Sequence, residues 1–156
     1  MDTFECIATK LDIREYSNQK VPIEIREKIL EAARLTGTGL NTQHWRFIVI
    51  EGKDNLSKLA EDSTSGKWVI SANFAIIILT NPKYNYHMID AGRALQSMQL
   101  AAWNFGVGSG LFTGIREQNF RQDLQHSRPY EYYYSSRIWI SSQKEFDWQK
   151  KESRTH

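Results

Sequence analysis

The chain has 156 residues, 40% hydrophobic and 24% charged, with a formal net charge of +2. This is the makeup of one globular domain, able to bury about two-thirds of its unfolded surface. Basic residues are scattered, which speaks against nucleic acid or an acidic membrane surface as partner, and no apolar run reaches the roughly 18 residues of a membrane span. The first ten residues, MDTFECIATK, lack the basic-then-apolar form of a signal peptide, and Cys6 is the only cysteine, so no intrachain disulfide can form. These points favour the cytoplasm.

In chain order, the first periodic segment is Val21 to Leu35, where Ile25, Ile29 and Ala33 recur at helical spacing and Pro22 suits the first turn. Gly37 and Gly39 stop it. Arg46 to Glu51, RFIVIE, reads as a strand closed by GKDN, and Asp54 is placed to cap a short helix carrying Leu56, Leu59 and Ala60. Phe74 to Thr80 is apolar almost throughout, as in a strand buried on both faces, and Asn81-Pro82 breaks it. A long helix is expected from about His87 to Phe105, with Ala91, Ala94, Leu95, Met98, Ala101, Ala102 and Phe105 on one broad stripe. Val107 to Ile115 is glycine-rich with a strand-like centre, and Arg116 to Gln125 reads as a further helix. Helices and strands alternate, so both belong to one layered domain.

Several familiar motifs fail on inspection. GVGSG lacks the third glycine of a dinucleotide loop, because Leu111 stands there, and it follows a helix where the motif should open one. It is not a nucleophile elbow, because Gly108 holds the serine position. SGKW ends in Trp68 where a phosphate loop needs Ser or Thr. His44, His87, His126 and His156 have no partners at metal-ligand spacing, and His87 with Asp90 is at best a pair at a helix start. No metal site and no catalytic triad is expected.

Three segments offer polar groups beside turns. In Lys10-Leu11-Asp12-Ile13-Arg14-Glu15-Tyr16, Lys10 and Arg14 are four apart and would share a face of a helical turn. Two such cations can clamp a phosphate, although taken alone the pair reads more simply as a solvated basic face. In Gly37-Thr38-Gly39-Leu40-Asn41-Thr42-Gln43-His44-Trp45, the hydroxyl and amide groups of Thr38, Asn41 and Gln43 can read the rim of a planar heterocycle, or can cap their own backbone. From Gly108 to Gly114, backbone amides between glycines can meet a ring on which negative charge develops, or can belong to a bulged strand.

Together these segments resemble the FMN-dependent nitroreductase family. That family opens with a basic box of the form R-R-S-I-R-x-F, then a helix, then P-S-x-x-N-x-Q-P-W and a strand. Here the same order reads KLDIREY, VPIEIREKILEAAR, TGTGLNTQHW and RFIVI, and FAIIIL, DAGRALQSMQLAAWNFGVGSG and FTG follow the family's later part. The likeness covers roughly residues 4 to 124. It implies an α+β fold, a mixed sheet flanked by helices in three layers, assembled as an intertwined homodimer with FMN at the subunit interface. It implies that Lys10 and Arg14 contact the phosphate and ribityl chain. Thr38, Asn41 and Gln43 would hold the ribityl chain and flavin rim, Lys67 the pyrimidine side, and Thr113 and Gly114 would lie by the reactive ring nitrogen. NADH or NADPH would reduce the flavin, and a nitroaromatic, quinone or similar small acceptor would reoxidise it, with no catalytic side chain of the protein's own. Two alternatives stay open: a catalytically impaired flavin-binding relic, and an enzyme of the same fold with different flavin chemistry. Leu11, Asp12, Gly37 and His44 depart from the family pattern, and Asp12 would repel a phosphate unless it bonds Lys10 or a backbone amide.

Residues 1–124 form the domain that carries this likeness, and 125–156 form an atypical tail. No Gly, Ala or Val occurs from Ile115 to His156. At a background of about 7%, missing glycine alone over that length has a chance of about 5%. The family's strand G-F-G-Y-P and its basic G-K-K segment are both missing. Reading from the second base of the Gln125 codon permits Val-Val-Gly-Phe-Gly-Tyr-Pro and later Gly-Lys-Lys-Lys. Two of those glycines are forced by Trp139-Ile140 and Trp148-Gln149. The tail is therefore expected to be a frameshifted form of the family's ending, the alternative being a genuine divergent tail with its own helix or strand.

Overall fold

The computed structural model describes residues 1–116 and the backbone of 137–143. It opens with helix α1 (Thr3–Thr9), which the residue pattern did not reveal. Asp2 caps it by accepting from the Glu5 amide at 2.8 Å. Helix α2 (Ile23–Arg34) follows with Pro22 as its N-cap, then strand β1 (Arg46–Glu51) and helix α3 (Lys53–Asp62). The α3 cap is Gly52, at φ 85°, and Asp54 lies inside the first turn instead of capping it. Strand β2 (Phe74–Leu79), helix α4 (His87–Asn104), strand β3 (Val107–Thr113) and strand β4 (Arg137–Gln143) complete the described elements. The helix expected over Arg116 to Gln125 lies, beyond Arg116, outside the described residues.

The strands form one sheet in the order β1-β2-β4-β3. All three pairings are antiparallel, so β2 and β3 run the same way on either side of β4. A single parallel bridge joins Asp12 to Ser109 on the free side of β3. Strand β4, drawn from the atypical tail, thus lies in the interior of the sheet, with Ile140 opposite both Ala75 and Gly110.

Strand β2 explains the layering. Its side chains alternate faces, and both faces are apolar. Phe74, Ile76 and Ile78 join Ile29, Ala33, Ala91, Ala94, Leu95, Met98 and Ala102 in a core under α2 and α4. Ala75 and Ile77 join Leu56, Leu59, Ala60, Val69 and Phe112 in a second core under α3 and the short turn Lys67–Ser71. Each fully buried isoleucine contributes roughly 1.5–3 kcal/mol by leaving water. The three-layer α+β arrangement expected from the sequence is the one observed.

Candidate functional site

Residues 10–16 are not a helical turn. Helix α1 ends at Thr9, Lys10 takes an extended conformation as its C-cap, and Asp12 bridges to Ser109. The Ile13 amide donates to the Ser109 carbonyl at 2.8 Å. The expected helical turn is therefore corrected: Asp12 turns toward Gln99 of α4, while Arg14 lies over Trp68, which packs with the second core. Lys10 Nζ lies 2.6 Å from Asp12 Oδ1, the pairing that relieves the misplaced acid, and Gln99 Nε2 donates to the same oxygen at 3.2 Å. Arg14 is exposed, and its guanidinium lies over the Trp68 ring, 5.9 Å from the centroid.

Sheet edge β3 accepts this segment because it lacks side chains there. A Cβ on Gly110 would collide with the Ile13 carbonyl and the Trp68 ring, and one on Gly108 would press on Ile13. The Gly108 and Gly110 stretch is thus covered by the chain's own residues 13–16, and its pairing with β4 runs without a bulge. Tyr16 donates to the Ile13 carbonyl at 2.7 Å. Its burial first, then the charge of Asp12, push the phenol's pKa up against the opposing pull of Arg14, so it stays a neutral donor.

At the far end of β3, Gly114 has φ 120° and its carbonyl accepts from the Thr64 amide at 2.8 Å and the Thr64 hydroxyl at 3.1 Å. Ser65 Oγ reaches the Thr113 carbonyl at 3.4 Å. Thr113 itself is exposed, as is Lys67, which has no charged partner among the described residues. Trp68 packs edge-on against Phe112 at 5.5 Å. Arg14, Lys67, Thr113 and Gly114 are in this way gathered about the Trp68–Phe112 pair and the 63–65 turn.

The second group lies elsewhere. In the turn after α2, Leu40, Asn41 and Gln43 have φ of 50°, 53° and 46°. Left-handed conformations cost an L-residue roughly 1–2 kcal/mol each, less for Asn. The turn offsets this locally. Thr38 Oγ1 accepts from the Gln43 amide at 3.0 Å, the Asn41 amide donates to the Thr38 carbonyl at 3.0 Å, and Gln43 Nε2 donates to Asn41 Oδ1 at 2.9 Å. These bonds leave the Asn41 amide nitrogen as a donor and Gln43 Oε1 as an acceptor, both on exposed residues.

Behind the turn stands a pair the sequence reading missed, because its members are 46 positions apart. Asp90, 1% exposed, accepts from the Gly39 amide at 3.0 and 3.2 Å and lies 3.1 Å from His44 Nε2. His87, at best a helix-start pair with Asp90 by the sequence, meets Thr80 Oγ1 through Nδ1 at 2.9 Å. The only hint in the sequence was His44 itself, standing where the family pattern has proline.

Helix α4 separates the two groups. Gln99 faces Asp12 and Ser109, while Asp90 faces Gly39. Nine residues of helix put them about 14 Å apart along the axis and on opposite faces. One protomer therefore does not bring Lys10 and Arg14 together with Asn41 and Gln43. A separate cleft of about 600 Å³, lined by Lys20, Arg26, Glu51, Lys53, Leu56 and Phe74 among others, contains none of the expected site residues.

Comparison with known proteins agrees with this architecture. The profile of the nitroreductase family matches residues 7–79 and 64–135, and the chain belongs to that family. Two proteins named, by inference, NADH dehydrogenase/NAD(P)H nitroreductase are similar in sequence. The one from Archaeoglobus fulgidus is 34% identical over 113 residues, 69% of this chain and 65% of that protein. The one from Methanothermobacter thermautotrophicus is 33% identical over 119 residues, 74% of this chain and 62% of that protein. The chain thus matches less than two-thirds of the length of either. Among solved structures, a nitroreductase from Desulfovibrio desulfuricans, likewise so named by inference and crystallised in complex with FMN, superposes with TM-score 0.82 at 25% identity, over 94% of this chain and 88% of that one.

Proposed function

We propose that the protein is an FMN-dependent oxidoreductase that works as a homodimer and passes reducing equivalents from NADH or NADPH to a nitroaromatic, quinone or similar small acceptor. The observation that carries this reading is the turn at 38–43, where three residues other than glycine hold left-handed conformations and present unspent amide edges to solvent. Strain of that kind, held by a surrounding network, is a mark of binding sites. Family membership and the FMN-bound relative name the ligand that suits it.

The residues present fit FMN as two half-sites. Arg14, with no carboxylate partner among the described residues, would take the phosphate, helped by Lys10, whose charge Asp12 partly engages. Thr38, Asn41 and Gln43 would hold the ribityl chain and the flavin rim. Lys67 would serve the pyrimidine side, and Thr113 and Gly114 would border the ring. Because α4 parts the halves within one protomer, a two-fold assembly is what would unite them. Bound FMN supplies the hydride and electron chemistry, and the chain's own part is to bind, orient and shield. Purified protein should be yellow or take up added FMN, sediment as a dimer, and oxidise NADH or NADPH when given a nitroaromatic or quinone. Colourless protein that gains no FMN overturns the reading.

A second reading concerns the tail. The absence of Gly, Ala and Val from Ile115 to His156, and the glycines forced by the alternative frame, support an out-of-frame ending and a weakened enzyme. One forced glycine replaces Trp139, inside β4. Sequencing the encoding DNA tests this: codons that do not permit the alternative reading end it.

A further inference from the structure

We propose that Asp90 and His44 form a clamp that positions the turn at 38–43 for its ligand, Asp90 as its centre and His44 as its lever. The inference rests on the flavin reading of that turn and adds the residues that shape it.

Three of the four residues in Leu40-Asn41-Thr42-Gln43 are held at positive φ. Gly39 precedes it and His44 follows it. One buried carboxylate, Asp90, bonds both: it accepts the Gly39 amide through both oxygens and meets His44 Nε2 through Oδ2. A single side chain thus ties the two ends of the left-handed run together.

The hydrogen positions follow from the partners. The Asn81 amide, 3.3 Å from His44 Nδ1, can only donate, so Nδ1 carries the lone pair. The ring proton then sits on Nε2 and is donated to Asp90. The chain of bonds runs from Asn81, just past β2, through His44 to Asp90 in the first turn of α4, and on to Gly39. The turn is thereby anchored to both the sheet and the helix. Asp90 tolerates burial because it accepts these donors at the positive end of α4, with the Arg93 guanidinium 3.8 Å from Oδ1. Its neighbours are close-fitting: a Cβ on Gly39 would lie 2.5 Å from the Tyr86 ring, and the His44 and Tyr84 ring centroids are 5.1 Å apart.

Neither Asp90 nor His44 is among the residues proposed to touch the flavin. They act through Asn41 and Gln43 and are positioning residues. Asp90→Asn keeps the shape but turns one acceptor into a donor facing a donor. It should raise the Kd for FMN by about tenfold or more, with saturating FMN restoring most of kcat. Hydrogen exchange of the Gly39 and Gln43 amides in flavin-free protein should accelerate in the same variant. His44→Gln, whose amide nitrogen stands in for Nε2, should retain FMN affinity within about threefold, while His44→Asn should lose about tenfold. Thr36→Val is the control: it removes the hydroxyl's bonds to Ser97 on α4 and to the Ala32 carbonyl on α2 without removing a bond within the turn. It should lower Tm yet leave the FMN Kd unchanged. Asp90→Asn and His44→Asn binding FMN as tightly as wild type, or Thr36→Val weakening it equally, would overturn the clamp. Wild-type protein that takes up no FMN overturns the flavin reading instead, and the exchange rates then decide the clamp alone.

Discussion

The turn at 38–44 stands on hydrogen bonds to a buried carboxylate, and the segment at 12–16 owes its close approach to β3 to missing side chains. In the turn, donors and acceptors converge on a buried carboxylate and hold backbone angles that the residues would not choose. In the segment, backbone and rings settle against Gly108 and Gly110 because nothing projects from β3 to hold them off. The first kind of support is sensitive to charge and to the placement of a proton. The second is sensitive above all to volume. A cofactor site can be shaped by either, and the two halves proposed here use one each.

The sharpest way to break the contrast is Gly110→Ala. Its methyl group would meet the Ile13 carbonyl, which is held by the bond from the Ile13 amide to Ser109, so the segment must shift as a unit. A loss of about 1–3 kcal/mol is expected from overpacking, read from the denaturant midpoint, together with weaker FMN binding as Arg14 moves. Thr38→Val is the matching test on the turn. It keeps volume and removes the acceptor for the Gln43 amide, at a cost of about 1 kcal/mol in the same measurement. If both substitutions cost the same and affect FMN alike, the distinction between steric and bonded support fails.

Arg14→Gln separates ligand role from structural role. The guanidinium's contact with Trp68 is exposed and contributes about 0.5–1 kcal/mol at most, so Tm should barely move. FMN affinity should fall clearly, and its salt dependence should flatten, in a fluorescence titration. The smallest expected effect lies at His87. Burial, and then the nearby His44, hold the His87 imidazole below its ordinary value of 6.5. The unfolded chain takes up this proton more readily than the folded one. Stability should therefore be level above that pH, decline as pH drops through 6.5 toward the lower folded value, and level again below it. His87→Gln should flatten that part of the profile in melts between about pH 5 and 8.

What was legible in the sequence was whatever depends on near neighbours. The bounds of β1 match the RFIVIE reading, and α2 and α4 fall within a residue or two of their apolar stripes, because helical and strand periods are local properties. The run FAIIIL read correctly as buried on both sides, which already implied layers above and below it. Helix α1 escaped notice because Phe4 and Ile7 are exposed and only Cys6 is buried, so it carries no inward stripe. The cationic pair was identified with the wrong geometry: residues 10–16 form no helical turn, since the Ile13 amide bonds Ser109, Lys10 pairs with Asp12 and Arg14 lies over Trp68.

The sequence by itself determined the elements, the order of the polar segments and the kinship to nitroreductases, because each rests on residue type and spacing along the chain. Only the tertiary structure decided that β4 enters between β2 and β3, that α4 stands between the two groups of polar residues, and that Asp90 bonds both Gly39 and His44. Those are long-range choices. They are settled by which apolar faces can cover one another and which buried donors find an acceptor, and neither is written in the spacing of neighbouring residues.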